Sequence, residues 1–168
     1  TASDIAATGS VVPQDYLAQR VPGITVSDVQ GNGFQSDIQF RGFEVSPVNS
    51  VAQGMAVYQN GVRINEPFGA PENWDAISDI AIVRVDVLSA NPVFGLNALG
   101  GAISLTMKNG FGTHGGHASL QGGSLGHGMA TAEYGYTDGN FSLYGAGEGI
   151  TDGGWRLLDA DGAEMAIA

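Results

Sequence analysis

The sequence predicts an α+β unit with a small mixed β-sheet and short helices, followed by the first antiparallel strands of a β-meander. Three observations carry this expectation. Up to Lys108, short apolar strand patterns are interleaved with short helical pieces. Glycine is unevenly spread, with eight of the 27 in residues 1–94 and nineteen in residues 95–168. Beyond the glycine-rich stretch 111–116, three segments alternate with a period of two residues, the signature of strands with two unlike faces.

Taken in order, Pro13 in Ser10–Gly23 suits the first turn of a helix, and Val21-Pro22-Gly23 stops it after about two turns. Ile24–Val26 reads as a short strand, followed by a polar turn at Gln30–Gly33. Ile38-Gln39-Phe40 alternates strictly and ends in Arg41-Gly42-Phe43, a strand running into a turn. Residues 44–53 are loop-like. Met55–Tyr58 is a strand closed by Asn60-Gly61, the commonest tight hairpin pair, with Val62–Ile64 returning. Asn73–Ile77 has room for one or two helical turns. Ile80–Leu88 is a longer, continuously apolar run, and so is expected to be buried. Pro92–Leu99 is a short helical or looped piece, and Ala102–Met107 is the last strand of the first unit.

The later strands are His117–Gly122, Met129–Tyr136 and Phe141–Gly149, joined by Gly122–Gly128 and by the tight-turn sequence Thr137-Asp138-Gly139-Asn140. Ala118 and Leu120, Ala130 to Tyr136 on even positions, and Phe141 and Leu143 make an apolar face. Ser119, Thr131, Glu133, Tyr144 and Glu148 make a polar one. Such a meander belongs either to a soluble sheet or to a barrel wall in lipid.

Composition narrows the function. Seventeen acidic residues against six basic ones, a formal net charge of −11, leave no basic patch for phosphates, so nucleic acid is not an expected partner. With no cysteine there is no disulfide framework, CxxC metal site or thiol nucleophile. The longest apolar runs are far shorter than the roughly 20 residues that cross a bilayer as a helix, so any membrane crossing is by strands. No basic segment with an apolar core opens the chain, so a signal peptide is expected to have been removed.

Residues 17–110 resemble the plug domain of TonB-dependent outer-membrane receptors, and residues 116–156 resemble the first strands of their barrel. The segments that carry this are Leu17–Val26, Asp37–Phe43, Met55–Val62, Ile80–Leu88 and Val93–Leu105, in that order. The resemblance implies a plug over residues 1–112 and the start of an outer-membrane barrel over 113–168, incomplete in this chain. It also implies transport: a barrel of about 22 strands filled by the plug, a small-molecule substrate (siderophore, vitamin, sugar or metal chelate) bound at the outer face, and a TonB-type energy-coupling protein pulling from the periplasm. Outer-membrane lipid is the remaining partner, in a Gram-negative cell. No cofactor and no bond chemistry are implied.

The resemblance also assigns roles to residues. Gly42, Gly61, Gly95, Gly100 and Gly101 permit tight reversals and close backbone approach. Arg41 is placed to pair with a carboxylate of the barrel wall as a latch, or else to cap loop carbonyls. Arg84 and Asp86, two apart on one strand, share a face and are expected to form an ion pair inside the plug, with a substrate site as the alternative. Apices facing outward fall near Gln30–Phe34, Ser46–Asn49 and Asn65–Trp74. They supply Asn32, Phe34, Asn49, Asn65, Phe68, Asn73 and Trp74 as candidate substrate contacts, with packing of the plug against the barrel by Phe68 and Trp74 as the alternative. Departures are Ser89-Ala90-Asn91-Pro92 where the family has Arg-Gly-Pro, which removes a second latch arginine, and the lack of a visible TonB-contacting segment.

Other constellations stay below the level of a site. His114 and His117 straddle a glycine linker and lack a clear partner carboxylate; with His127 they read as linker and lumen histidines, and no metal is expected. Asp159, Asp161 and Glu164 cover only part of a calcium-loop pattern. Gly95–Gly101 is followed by no Lys-Ser/Thr pair, and no serine sits in a nucleophile elbow, so the chain is not expected to be an enzyme. The rival to transport is a binding or structural β-rich module, either a soluble plug-like domain or a surface passenger.

Overall fold

The structure, a computed structural model, describes residues 4, 13–29, 32–45, 53–65, 74, 77–124, 126–153, 157–158 and 164–165. The chain divides into two compact units, Thr1–Lys108 and Asn109–Ala168.

The first unit starts with α1 (Pro13–Arg20), opened by proline at the position where a missing N–H costs nothing. It closes at Gly23, which takes the left-handed φ of 87°. The chain then forms β1 (Ile24–Val29), β2 (Asn32–Phe40) and β3 (Phe43–Glu44), an antiparallel sheet in that order. β2 is longer than expected, because Asn32 and Gly33, read as turn residues, already belong to it. β4 (Met55–Gln59) and β5 (Val62–Arg63) form the expected hairpin. A 3-10 turn at Asp79–Ala81 leads into β6 (Ile82–Ser89), a second at Pro92–Phe94 follows, and β7 (Gly101–Met107) completes a mixed sheet of order β5-β4-β7-β6. Its central pair, β4 and β7, is parallel, and its other pairs are antiparallel.

Residues of α1 and of both sheets share one core: Tyr16, Leu17, Ile24, Ile38, Phe40, Met55, Val57, Ile103 and Leu105, with Trp74 and Ile77. The opposite face of the mixed sheet carries a smaller cluster of Ala56, Ala98 and Ala102, covered by Tyr58 and Phe94. Ile80–Leu88 departs from expectation. It is not a buried central strand, since β6 lies at the sheet edge with Val83 and Leu88 exposed. The reason is visible after the bulge between Ile82 and Arg84: Arg84, Asp86 and Leu88 alternate with Val85 and Val87, which lean on the core. The run is half-buried alternation, and the isoleucines before it obscured the period.

The second unit holds β8 (Gly115–Gly122), β9 (Gly128–Asp138) and β10 (Phe141–Thr151), an antiparallel meander of order β10-β9-β8. Its tight loop is Gly139-Asn140, with Gly139 at φ 55° and Asp138 already paired with Phe141. A further pair, β11 (Leu157–Leu158) and β12 (Glu164–Met165), brackets the Asp159–Gly162 stretch. The described strands do not close a barrel.

Candidate functional site

Arg41 and Gly42 are the two central residues of the β2–β3 hairpin, with φ of 53° and 85°. The β4–β5 hairpin repeats this geometry with Asn60 and Gly61, at 50° and 82°. Positive φ at both central positions is the turn whose twist matches the strands, and asparagine-glycine is its favoured pair. An arginine in the first place is strained by roughly 1–2 kcal/mol. Its guanidinium carbon lies 4.9 Å above the Phe40 ring, and its stem lies against Gly23. The side chain is therefore folded back on the hairpin, with the charge exposed.

Arg84 and Asp86 do form an ion pair, Nε to Oδ2 at 2.7 Å, on the outward face of β6 beside Thr106 and Ser104. Arg84 is 61% exposed, so the pair contributes at most about 1 kcal/mol.

The glycines singled out in the sequence act in two ways. Gly42, Gly61, Gly95 and Gly101 take left-handed φ values of 85°, 82°, 77° and 130°. Gly100 has no such φ and instead makes room: a Cβ there would lie 2.5 Å from Phe43, which also sits on Gly54.

Two of the candidate substrate contacts are interior. Asn65 is buried, its Oδ1 accepting from Val57 N–H at 2.8 Å and its Nδ2 donating to Met55 carbonyl at 2.9 Å. Trp74 is fully buried in the first unit's own core, which differs both from a substrate contact and from packing outward against a barrel wall. Both side chains are spent on the fold and offer no face to a ligand. Asn32 and Phe34 lie on β2 by their backbone, with side chains outside the described part, while Asn49, Phe68 and Asn73 lie outside the described residues altogether.

Sequence reasoning missed Arg63. Its Nε donates to both oxygens of Asn65 at 3.2 Å, and its Nη1 donates to the Leu96 carbonyl at 2.7 Å and the Phe94 carbonyl at 3.4 Å. Tyr58 hydroxyl donates to the same Phe94 carbonyl at 2.9 Å. The clasp fixes the Pro92–Leu99 loop over the alanine cluster while Val93, Leu96 and Leu99 stand in solvent. The one sequence signal was the Arg63-x-Asn65 spacing after a hairpin turn. Of the histidines, His127 Nδ1 pairs with Asp152 Oδ2 at 3.0 Å, and His114 and His117 are exposed. No group of three metal-ligating side chains occurs among the described residues.

The strongest feature of the second unit is the inversion of its faces. Cross-strand pairing brings Ala118 opposite Ala132, Leu120 opposite Ala130, and Tyr136 opposite Leu143, so the apolar residues form one continuous face. That face is the exposed one: Leu120 is 86%, Phe141 60% and Tyr134 57% accessible. The polar face is the more covered. There Ser119 and Thr131 hydroxyls are 2.7 Å apart, and Tyr144 donates to Glu133 at 2.8 Å. Tyr134, Tyr136 and Phe141 cluster at the Gly139 end of this face, an aromatic border beside small residues.

Comparison with known proteins follows the same division. A family model described as the TonB-dependent receptor plug domain matches residues 1–102. Among solved structures, the ferric yersiniabactin uptake receptor FyuA from Yersinia pestis is similar at 18% identity and a TM-score of 0.48, over 94% of this chain and 22% of that one. The chain therefore spans less than a quarter of that receptor's length. No curated protein matches.

Proposed function

Because the chain belongs to the TonB-dependent receptor family through its plug domain, we propose that it is part of an importer of the bacterial outer membrane, drawing a small-molecule substrate inward when a TonB-type energy-coupling protein pulls on the plug. The observation that carries this reading is the plug match joined in one chain to a meander whose apolar face is the more exposed one and whose polar face is partly covered. A soluble sheet buries its apolar face, whereas an outer-membrane strand turns it to lipid. β9 and β10 have eleven residues each, the length with which a tilted strand crosses a bilayer.

In this reading the first unit gates the pore. Arg41, held in a strained turn with its charge exposed, is the candidate latch for a carboxylate. Arg84 and Asp86 hold each other on the exposed face of β6. Substrate contact falls to the outward apices, with Asn32, Phe34, Asn49, Phe68 and Asn73 the remaining candidates. The substrate class is a siderophore, vitamin, sugar or metal chelate. The test is growth-limited uptake in cells with and without a working TonB system: import through the receptor should stop without it, and equal uptake in both strains would end the proposal.

A further inference from the structure

Half of the residues in Asn109–Gly116 are glycine, and such a stretch reads as a slack connector. The structure gives these glycines a different use. Gly112 and Thr113 N–H groups both donate to the Asn109 carbonyl, at 3.3 and 3.1 Å, and the Asn109 side-chain oxygen takes a second bond from Gly112 N–H at 2.9 Å. Asn109–Thr113 is thus a closed turn. That turn lies flat on the β9–β10 hairpin. A Cβ at Gly110 would come within 2.5–2.8 Å of the Leu143 backbone, and a Cβ at Gly135 would stand 2.0 Å from the Thr113 carbonyl oxygen. Thr137 hydroxyl donates to the Gly110 carbonyl. On the other side of the unit boundary, Lys108 N–H donates to the Ala81 carbonyl at 2.7 Å and so belongs to the first unit.

We propose that residues 109–114 form a strap fastened to the β9–β10 hairpin, which stays closed in the intact protein, rather than a free linker. Glycine at 110 and 135 is there for close backbone approach, and any side chain at 135 would lift the strap.

Hydrogen exchange on the intact protein tests this, in membranes or detergent, without reference to transport. The peptide containing Gly112 and Thr113 should exchange as slowly as peptides from β9 and β10. Gly135→Ala should raise its exchange at least tenfold and leave the β4–β7 peptides unchanged. Thr137→Val, which keeps the side-chain shape and removes a single hydrogen bond, should raise it roughly two- to tenfold. The second variant decides the matter if the first fails to assemble. Exchange of wild-type 109–114 at the rate of an unstructured peptide would overturn the proposal, and so would a Thr137→Val protein with unchanged exchange there.

Discussion

Arg41 shows how much one residue's conformation says about its purpose. The chain contains the same hairpin turn twice, and at Asn60-Gly61 it uses the pair that the geometry favours. Replacing arginine by asparagine at 41 would copy that solution. Relief of left-handed strain is worth roughly 1–2 kcal/mol, against about 0.5–1 kcal/mol lost with the exposed stack on Phe40. Arg41→Asn is therefore expected to stabilise the first unit by about 0.5–1 kcal/mol, read as a higher denaturant midpoint from the fluorescence of buried Trp74 in a Trp155→Phe background. If Arg41 is the proposed latch, the same variant should also import more slowly, because it removes the charge that would pair with the carboxylate. Unchanged uptake would remove Arg41 from the gate and leave its turn unexplained. Asn65 teaches the opposite lesson. An amide beside a turn and near an aromatic looked like a ligand contact, but both its polar atoms serve β4. Nothing in the local pattern marks that, because those bonds form only when Asn65 folds back alongside β4.

At the scale of elements, legibility follows sequence distance. The turn at 41–42, the hairpin at 60–61, the two-residue alternation of β8–β10 and the proline-opened helix are each written within a few residues, and the structure contains all of them, the turn at 41–42 closing a hairpin with β3 that the local pattern does not announce. The parallel pairing of β4 with β7 and the edge position of β6 depend on contacts between distant segments, so the burial expected over Ile80–Leu88 holds at Ile82 and fails at Val83 and Leu88. Arg63 was hidden for the same reason, as its acceptors on Phe94 and Leu96 lie on another loop. Gly100 joins two elements by leaving space. Its amide donates to the Gly54 carbonyl at 2.8 Å, and Phe43 from β3 fills the gap above both glycines. Gly100→Ala should push Phe43 outward and cost the first unit about 1–3 kcal/mol, the usual penalty for overpacking. Because φ at Gly100 is ordinary, the whole cost comes from overlap with Phe43. A denaturation midpoint equal to wild type would mean that Phe43 is not seated on the two glycines.

For the molecule as a whole, the deciding question is which solvent surrounds the second unit. The face formed by Gly116, Ala118 and Leu120, by the even residues 130–136, and by Leu143 to Gly149 on odd positions carries no charged side chain, and Asp138 appears only at the turn. In water, an exposed continuous apolar face of this kind invites association. In lipid it is the required surface, with charge tolerated only toward the headgroups. The sequence reading found the alternation but left both solvents open, because period alone does not say which face is covered. The chain contributes no cysteine, so single cysteines carrying a spin label can be placed one at a time along β9. In the intact protein in bilayers, labels at 130, 132 and 134 should collide strongly with oxygen, which concentrates in lipid, and weakly with a water-soluble nickel chelate. Labels at 131 and 133, on the face that holds the Ser119–Thr131 and Glu133–Tyr144 hydrogen bonds, should show lower oxygen collision. The accessibility should therefore oscillate with a period of two and with its oxygen maxima on even positions. If the even positions instead meet the nickel chelate freely, the apolar face is in water, and the barrel-wall reading fails together with the importer built on it.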